Sequence, residues 1–224
     1  MKFKPRKRML QQRRTRLILR WSRYLFFAVG ILALSYVGFA MVDARLYQAY
    51  QTRRFERALE SVKPAIGSVE QVHSRPLPVP AEAGRARIKS AAPEGFPLGQ
   101  IQIRSISLTA MIVEGDNAGV LRRAVGHVPG TALPGQQGNV VIAGHRDTFF
   151  RPLRNIRKGD EITLTTLSGS YRYQVDSTEI VGPEDTEVLD DSPGAILTLV
   201  TCYPFYYVGP APKRFIVRAH QIVR

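Results

Sequence analysis

The chain has 224 residues, 32 of them Lys or Arg and 18 Asp or Glu, with a single cysteine. That length fits one domain of ordinary size plus non-globular sequence, and one cysteine excludes an internal disulfide. The net charge of +14 does not signal nucleic acid: ten basic and no acidic residues fall within 1–23, leaving 22 against 18, or +4, for the rest. The excess is a tail, not the basic face on a folded domain that nucleic-acid binding needs.

Residues 1–23 form that basic tail. Tyr24 to Val42, "YLFFAVGILALSYVGFAMV", follows without a charged residue, and at 1.5 Å per residue it is just long enough to cross a hydrocarbon core of about 30 Å. Trp21 and Tyr24 at its entrance, and Tyr47 and Tyr50 past its exit, suit an interfacial belt. Basic residues on the N-terminal side alone keep that end in the cytoplasm and put the remainder outside. A cleaved signal peptide fits less well, because the apolar run is too long and "AMVDARLY" offers a poor cleavage site. The expectation is an uncleaved signal anchor over 24–42.

Residues 43–96 read as a juxtamembrane helix and a linker. Leu46, Tyr50 and Phe55 give a loose apolar stripe among charges. From Lys63 to Pro97 the chain is punctuated by Pro64, Pro76, Pro78, Pro80, Pro93 and Pro97, the composition of an extended, semi-rigid stalk.

Residues 97–224 read as an all-β domain. "GQIQIRSI", "SLTAMIV", "NVVIAG", "EITLTTL", "YRYQVDSTEIV", "AILTLVTC" and "RFIVRAHQIV" have the β-branched and aromatic content of strands. Short helical turns are expected at "AGVLRRAVG" and "FFRPLRNI". Seven or so strands in this length imply a compact barrel or sandwich.

Three residues in this domain carry chemistry. Cys202 ends the apolar run "LTLVTC", and a lone Cys with a distant His is either a small buried hydrophobe or a nucleophile. His145 stands just past the strand "VVIA", after Gly144, which leaves room around the imidazole. Arg214 begins the strand after the Cys strand, across a loop containing Pro204, Gly209, Pro210 and Pro212. If those strands are antiparallel neighbours, Cys202 and Arg214 meet at one edge, where a guanidinium beside a thiol supplies donors for a developing oxyanion.

"TLVTC", the arginine on the next strand and the "AGHRD" histidine together resemble the sortase family, membrane-anchored cysteine transpeptidases of bacterial surfaces. The resemblance runs through "GHVPGTALPGQQGNVVIAGHRDTFF" and "LTLVTCYPF". It implies an eight-stranded β-barrel, a catalytic set of Cys202, His145 and Arg214, and cleavage of an LPxTG-like sorting signal after Thr. The thioester formed on Cys202 would then pass to a cell-surface amine. The wording "AGHRDTFF" and "TCYPF" looks most like class D. The linker holds no Asp-Pro and no apolar stretch follows the last strand, which points to protein anchoring rather than to a pilin-polymerising enzyme. An L,D-transpeptidase would carry a Ser-His-Gly-Cys motif that this sequence lacks. A non-catalytic, surface-anchored β-domain with an inert Cys is the alternative from outside enzymology.

Weaker expectations concern the surroundings. Asp147 is a candidate to orient His145 or a solvated loop acid; His127 is a candidate to flank the substrate groove; Thr201 and Tyr203, beside Cys202, are candidates to line it. The resemblance makes Glu184, Asp185, Glu187, Asp190 and Asp191 candidates to hold calcium, as in some sortases, but without an EF-hand spacing a solvated loop is the better reading; no metal and no cofactor is expected. The expected partners are surface proteins with the sorting signal, an envelope amine and the lipid bilayer, with no nucleic acid.

Overall fold

The computed structural model describes residues 6–67, 92–207 and 209–222; most of the Pro-rich linker, residues 68–91, lies outside them. The chain forms two compact units, Met1–Arg45 and Leu46–Arg224.

A single helix, α1 (Arg6–Gly67), begins in the first unit and ends in the second. The basic stretch from Arg6 is therefore helical, because its Arg, Lys, Gln, Leu and Met are good helix formers and neither Gly nor Pro interrupts them. In the first unit the apolar side chains face outward, with Phe26, Leu34 and Phe39 more than 70% exposed. Among the described residues this is the one helix long and apolar enough to cross a membrane.

In the second unit, α1 meets the barrel along a face that the apolar stripe marks only in part. Phe55 of that stripe is buried, but Leu46 and Tyr50 are exposed and Gln51 is buried. Gln48 explains the difference. Its Oε1 accepts from the Met111 N–H at 2.8 Å and its Nε2 donates to the Arg123 carbonyl at 2.6 Å. An unpaired edge N–H needs a partner as much as an apolar side chain needs cover.

Eight strands close into a barrel in the order β1-β2-β3-β4-β7-β8-β6-β5: β1 (Pro97–Ile103), β2 (Leu108–Glu114), β3 (Val125–His127), β4 (Gly138–Ala143), β5 (Glu161–Thr166), β6 (Gly169–Val181), β7 (Ala195–Tyr203) and β8 (Lys213–Ile222). The all-β barrel with short helices expected from the sequence is what forms. All seven anticipated segments are strands; the eighth, β3, is three residues long and lies in the stretch read as a helical turn. The helix there, α2 (Ala118–Leu121), is a single turn whose N-cap Asn117 accepts from the Gly119 and Val120 N–H groups at 2.8 and 2.9 Å.

Alternation on each strand fills the interior with Ile101, Ile103, Ile112, Val125, Val140, Ile142, Leu164, Leu197, Leu199 and Val217, together with Phe150 and Leu153 from the β4–β5 connection. Two pairings are parallel, β2 with β3 and β4 with β7. The second matters for function. It brings the C-terminal ends of two strands remote in sequence to the same rim.

Candidate active site

β7 and β8 are antiparallel neighbours, and their register sets Cys202 directly opposite Arg214. Leu197 and Leu199 point into the core, so alternation puts Cys202 on the outer face. Val217 and Ala219 are inside on β8, which places Arg214 on that same outer face. Beside them β4 runs parallel to β7 with Ala143 paired to Val200, and the ladder continues one residue further through the Gly144 N–H to the Val200 carbonyl at 3.1 Å. His145 thus leaves its strand level with Cys202. A half-buried thiol, a half-buried imidazole and a guanidinium stand at one strand end.

The loop after β4 is shaped by its neighbours. Phe150 is wholly buried, and a Cβ on Gly144 would fall 2.7 Å from its ring. The space made by Gly144 is therefore taken by Phe150, not by the imidazole. The His145 carbonyl accepts from the Phe150 N–H at 3.1 Å, which folds the following turn back onto it. Thr201 Oγ1 donates to the Gly144 carbonyl at 2.7 Å and ties the two strand ends together.

Among the described residues, no hydrogen bond joins the side chains of Cys202, His145 and Arg214. Arg214 Nη1 donates to the carbonyls of Ala211 at 3.2 Å and Lys213 at 3.1 Å, leaving Nη2 and Nε without a partner among the described residues. The guanidinium is anchored at one corner and open at the others.

The remaining anticipated residues lie elsewhere or act otherwise. His127 is fully buried and pairs with Ile142 across β3 and β4. It points inward three residues short of the Cys202 level, about 10 Å by strand rise. Its Nδ1 lies 2.9 Å from Glu114 Oε2, and its Nε2 lies 2.9 Å from the Ala132 carbonyl and 3.0 Å from Thr131 Oγ1. With every nitrogen partnered and no exposure, it does not flank a substrate groove. Thr201 faces the interior, 2% exposed, and so does not line the site. Tyr203 joins an aromatic cluster at the rim, 6.0 Å from Phe205 and 6.5 Å from Phe215 between ring centroids. Asp147 is exposed and makes no hydrogen bond to His145, so it does not orient the imidazole. In the acidic loop, Asp185 Oδ2 accepts from the Gly182 N–H at 2.7 Å.

Two residues near the site escaped the sequence reading. Arg146, beside His145, donates to the carbonyls of Pro204, Tyr207 and Gly209 in the loop after Cys202. Arg154 lies over the Tyr206 ring of that loop, 5.4 Å from its centroid. Arg146 stood inside the "AGHRD" motif, but its acceptors are backbone carbonyls, which no residue type betrays.

Known proteins resemble this chain in sequence and fold. The family profile described as "Sortase domain" matches residues 101–222. Sortase D of Bacillus subtilis (strain 168) is 32% identical over 196 residues, 87% of this chain and 94% of that protein. A solved Sortase D5 transpeptidase from Clostridium perfringens superposes with a TM-score of 0.61 at 27% identity, covering 79% of this chain and 99% of that one. Sortase A from Corynebacterium diphtheriae, solved as a lid mutant, gives 0.55 at 32% identity, over 60% of this chain and 74% of its own.

Proposed function

The chain belongs to the sortase family of cysteine transpeptidases, and within that family we propose that it is a class D-like, membrane-anchored enzyme that attaches surface proteins to the cell envelope. The observation carrying this reading is the pairing of Cys202 with Arg214 across β7 and β8, with His145 delivered to the same rim by β4. Residues 1–23 would lie in the cytoplasm, 24–42 in the bilayer, and 43–96 would form the stalk of an extracytoplasmic catalytic domain over 97–224.

In this reading Cys202 is the nucleophile. Its thiolate attacks the carbonyl carbon of Thr in an LPxTG-like signal. Charge gathers on the carbonyl oxygen, where the open Nη2 and Nε of Arg214 donate, as preorganised donors in an oxyanion hole do. The C–N bond to the next residue breaks, and His145 gives its proton to the departing amine. An envelope amine then attacks the thioester. It yields its proton to His145 and expels the thiolate, leaving a new amide bond. Strand pairing rather than bonds between their side chains would set the catalytic groups, so none has to break a bond to another before substrate arrives.

The test incubates the full chain in detergent with LPxTG-like and LPxTA-like peptides and an added amine, following products by mass spectrometry. The expected result is cleavage after Thr with an amine adduct, absent for Cys202→Ala. No cleavage of any peptide, with Cys202 resistant to alkylation in the folded protein, would point instead to a non-catalytic surface domain.

A further inference from the structure

The loop between β7 and β8 begins at Pro204, two residues after Cys202, and ends just before Arg214, so it borders the site on both sides. Among the described residues its one internal backbone hydrogen bond runs from the Tyr207 N–H to the Pro204 carbonyl at 3.3 Å, and Tyr206 and Tyr207 are 75% and 48% exposed. Such a segment is not held by core packing alone.

Arg214 Nη1 reaches only the Ala211 carbonyl near the far end of the loop, and Arg146 supplies most of the remaining polar ties. Arg146 Nη1 donates to the Pro204 carbonyl at 3.1 Å, and its Nη2 donates to the carbonyls of Tyr207 at 2.8 Å and Gly209 at 2.9 Å. The same guanidinium lies over the Tyr207 ring, 5.8 Å from its centroid. Three carbonyls spread over six residues converge on one cation, so the loop is wrapped around the guanidinium. A planar fork with donors on separate nitrogens suits acceptors spaced in this way, and a point-like ammonium does not. Arg146 is also bonded covalently to His145. One side chain therefore fixes both the segment that carries the imidazole and the segment that follows the thiol.

We propose that Arg146 is a positioning residue that clasps the β7–β8 loop to the His145 segment and thereby holds one wall of the peptide cleft in its binding conformation. This rests on the transpeptidase reading of the site. Arg146 touches no reacting atom, so its loss should fall on peptide capture more than on the chemical step.

The experiment compares the full chain in detergent with Arg146→Ala, Arg146→Lys and, as a comparator on the same loop, Arg154→Ala. Hydrogen exchange of the amides in 205–212 comes first, because it requires no catalysis. Arg146→Ala should speed that exchange about tenfold while the barrel strands keep their protection, the pattern of a local opening. Steady-state cleavage of the best peptide follows. KM should rise about tenfold with kcat within about threefold, the signature of lost binding rather than lost chemistry. Arg146→Lys should recover only part of the KM, and Arg154→Ala, which lacks the carbonyl contacts, should shift it less. Unchanged loop exchange in Arg146→Ala overturns the clasp. A loosened loop with unchanged KM, or full recovery by lysine, overturns the positioning role. If the wild type itself cleaves no peptide, the transpeptidase reading fails and the wall role with it; loop exchange still decides whether the clasp exists.

Discussion

Two histidines on adjacent strands of this barrel have opposite fates. His127 ends β3, points into the interior and has a polar partner on each ring nitrogen, with Glu114 on one side and Ala132 and Thr131 on the other. His145 follows β4, stands half-buried at the rim and has no hydrogen bond to its ring among the described residues. A side chain whose donors and acceptors are all taken contributes to the fold and cannot exchange protons with a substrate without first breaking it. One whose position is set by its backbone, through the Gly144 link to Val200 and the Thr201 tether, keeps its chemistry available. The division extends to Cys202 and Arg214, which are also positioned by register rather than by bonds to each other.

If that division is right, variants at the rim and in the interior must fail in different ways. The largest effect is expected at the rim. Cys202→Ala should lower transpeptidation by about 10⁴-fold or more, the scale seen when a covalent nucleophile is removed, with the urea unfolding midpoint nearly unchanged. Substantial residual amine transfer would remove the thiol from the mechanism. The interior should show the reverse. Glu114→Ala leaves a buried imidazole nitrogen without its partner, and a buried polar group left unsatisfied costs about 1–3 kcal/mol. Its midpoint should fall steeply while turnover per folded molecule stays near wild type. A matching loss of turnover would mean that the His127–Glu114 pair reaches the site after all.

The sequence carried the barrel because period-two alternation is written in residue type. Ile101 and Ile103, Val140 and Ile142, Leu197 and Leu199 all announce the inner face. The same alternation places Thr201 inside and Cys202 outside, so Thr201 could have been separated from the site by counting. β3 stayed hidden because three residues show no period, and because one of its inward positions is a histidine. The docking face of α1 was not legible for a related reason. The barrel offers it an unpaired strand edge that takes Gln48, so of the apolar stripe only Phe55 packs inward while Leu46 and Tyr50 face out. The Arg146 clasp was illegible outright, since its three acceptors are main-chain carbonyls.

A smaller effect should separate two threonines that differ chiefly in what they tether. Thr201 Oγ1 donates to the Gly144 carbonyl, and Thr198 Oγ1 donates to Asn139 Oδ1, each at 2.7 Å in a buried setting. Replacing either by Val leaves a buried acceptor unsatisfied, at about 1–2 kcal/mol, and thermal melts should report similar losses. Only Thr201→Val should also lower turnover, because its acceptor lies one residue from His145. Equal turnover in the two variants would show that the tether does not set the imidazole.

The smallest effect tests the rule from its other side: a buried polar group without a partner should be dispensable. Tyr173 is fully buried in the core, and its hydroxyl has no hydrogen-bond partner among the described residues. Burial pushes its phenol up to about 12; the Gly135 backbone faces the hydroxyl and restrains that rise without reaching hydrogen-bond geometry. In the unfolded chain the phenol ionises near 10, so between about pH 10 and 12 the folded state holds the proton that the unfolded state has released. Stability must then fall as pH rises through that window. Tyr173→Phe removes both the unpaired hydroxyl and this alkaline loss. Near neutral pH the variant should match or exceed wild type by up to about 1 kcal/mol, and its urea midpoint should decline less steeply above pH 10. A clear loss at neutral pH would mean that the hydroxyl is bonded in solution, and the contrast between filled and open polar groups would then have to be redrawn within the core itself.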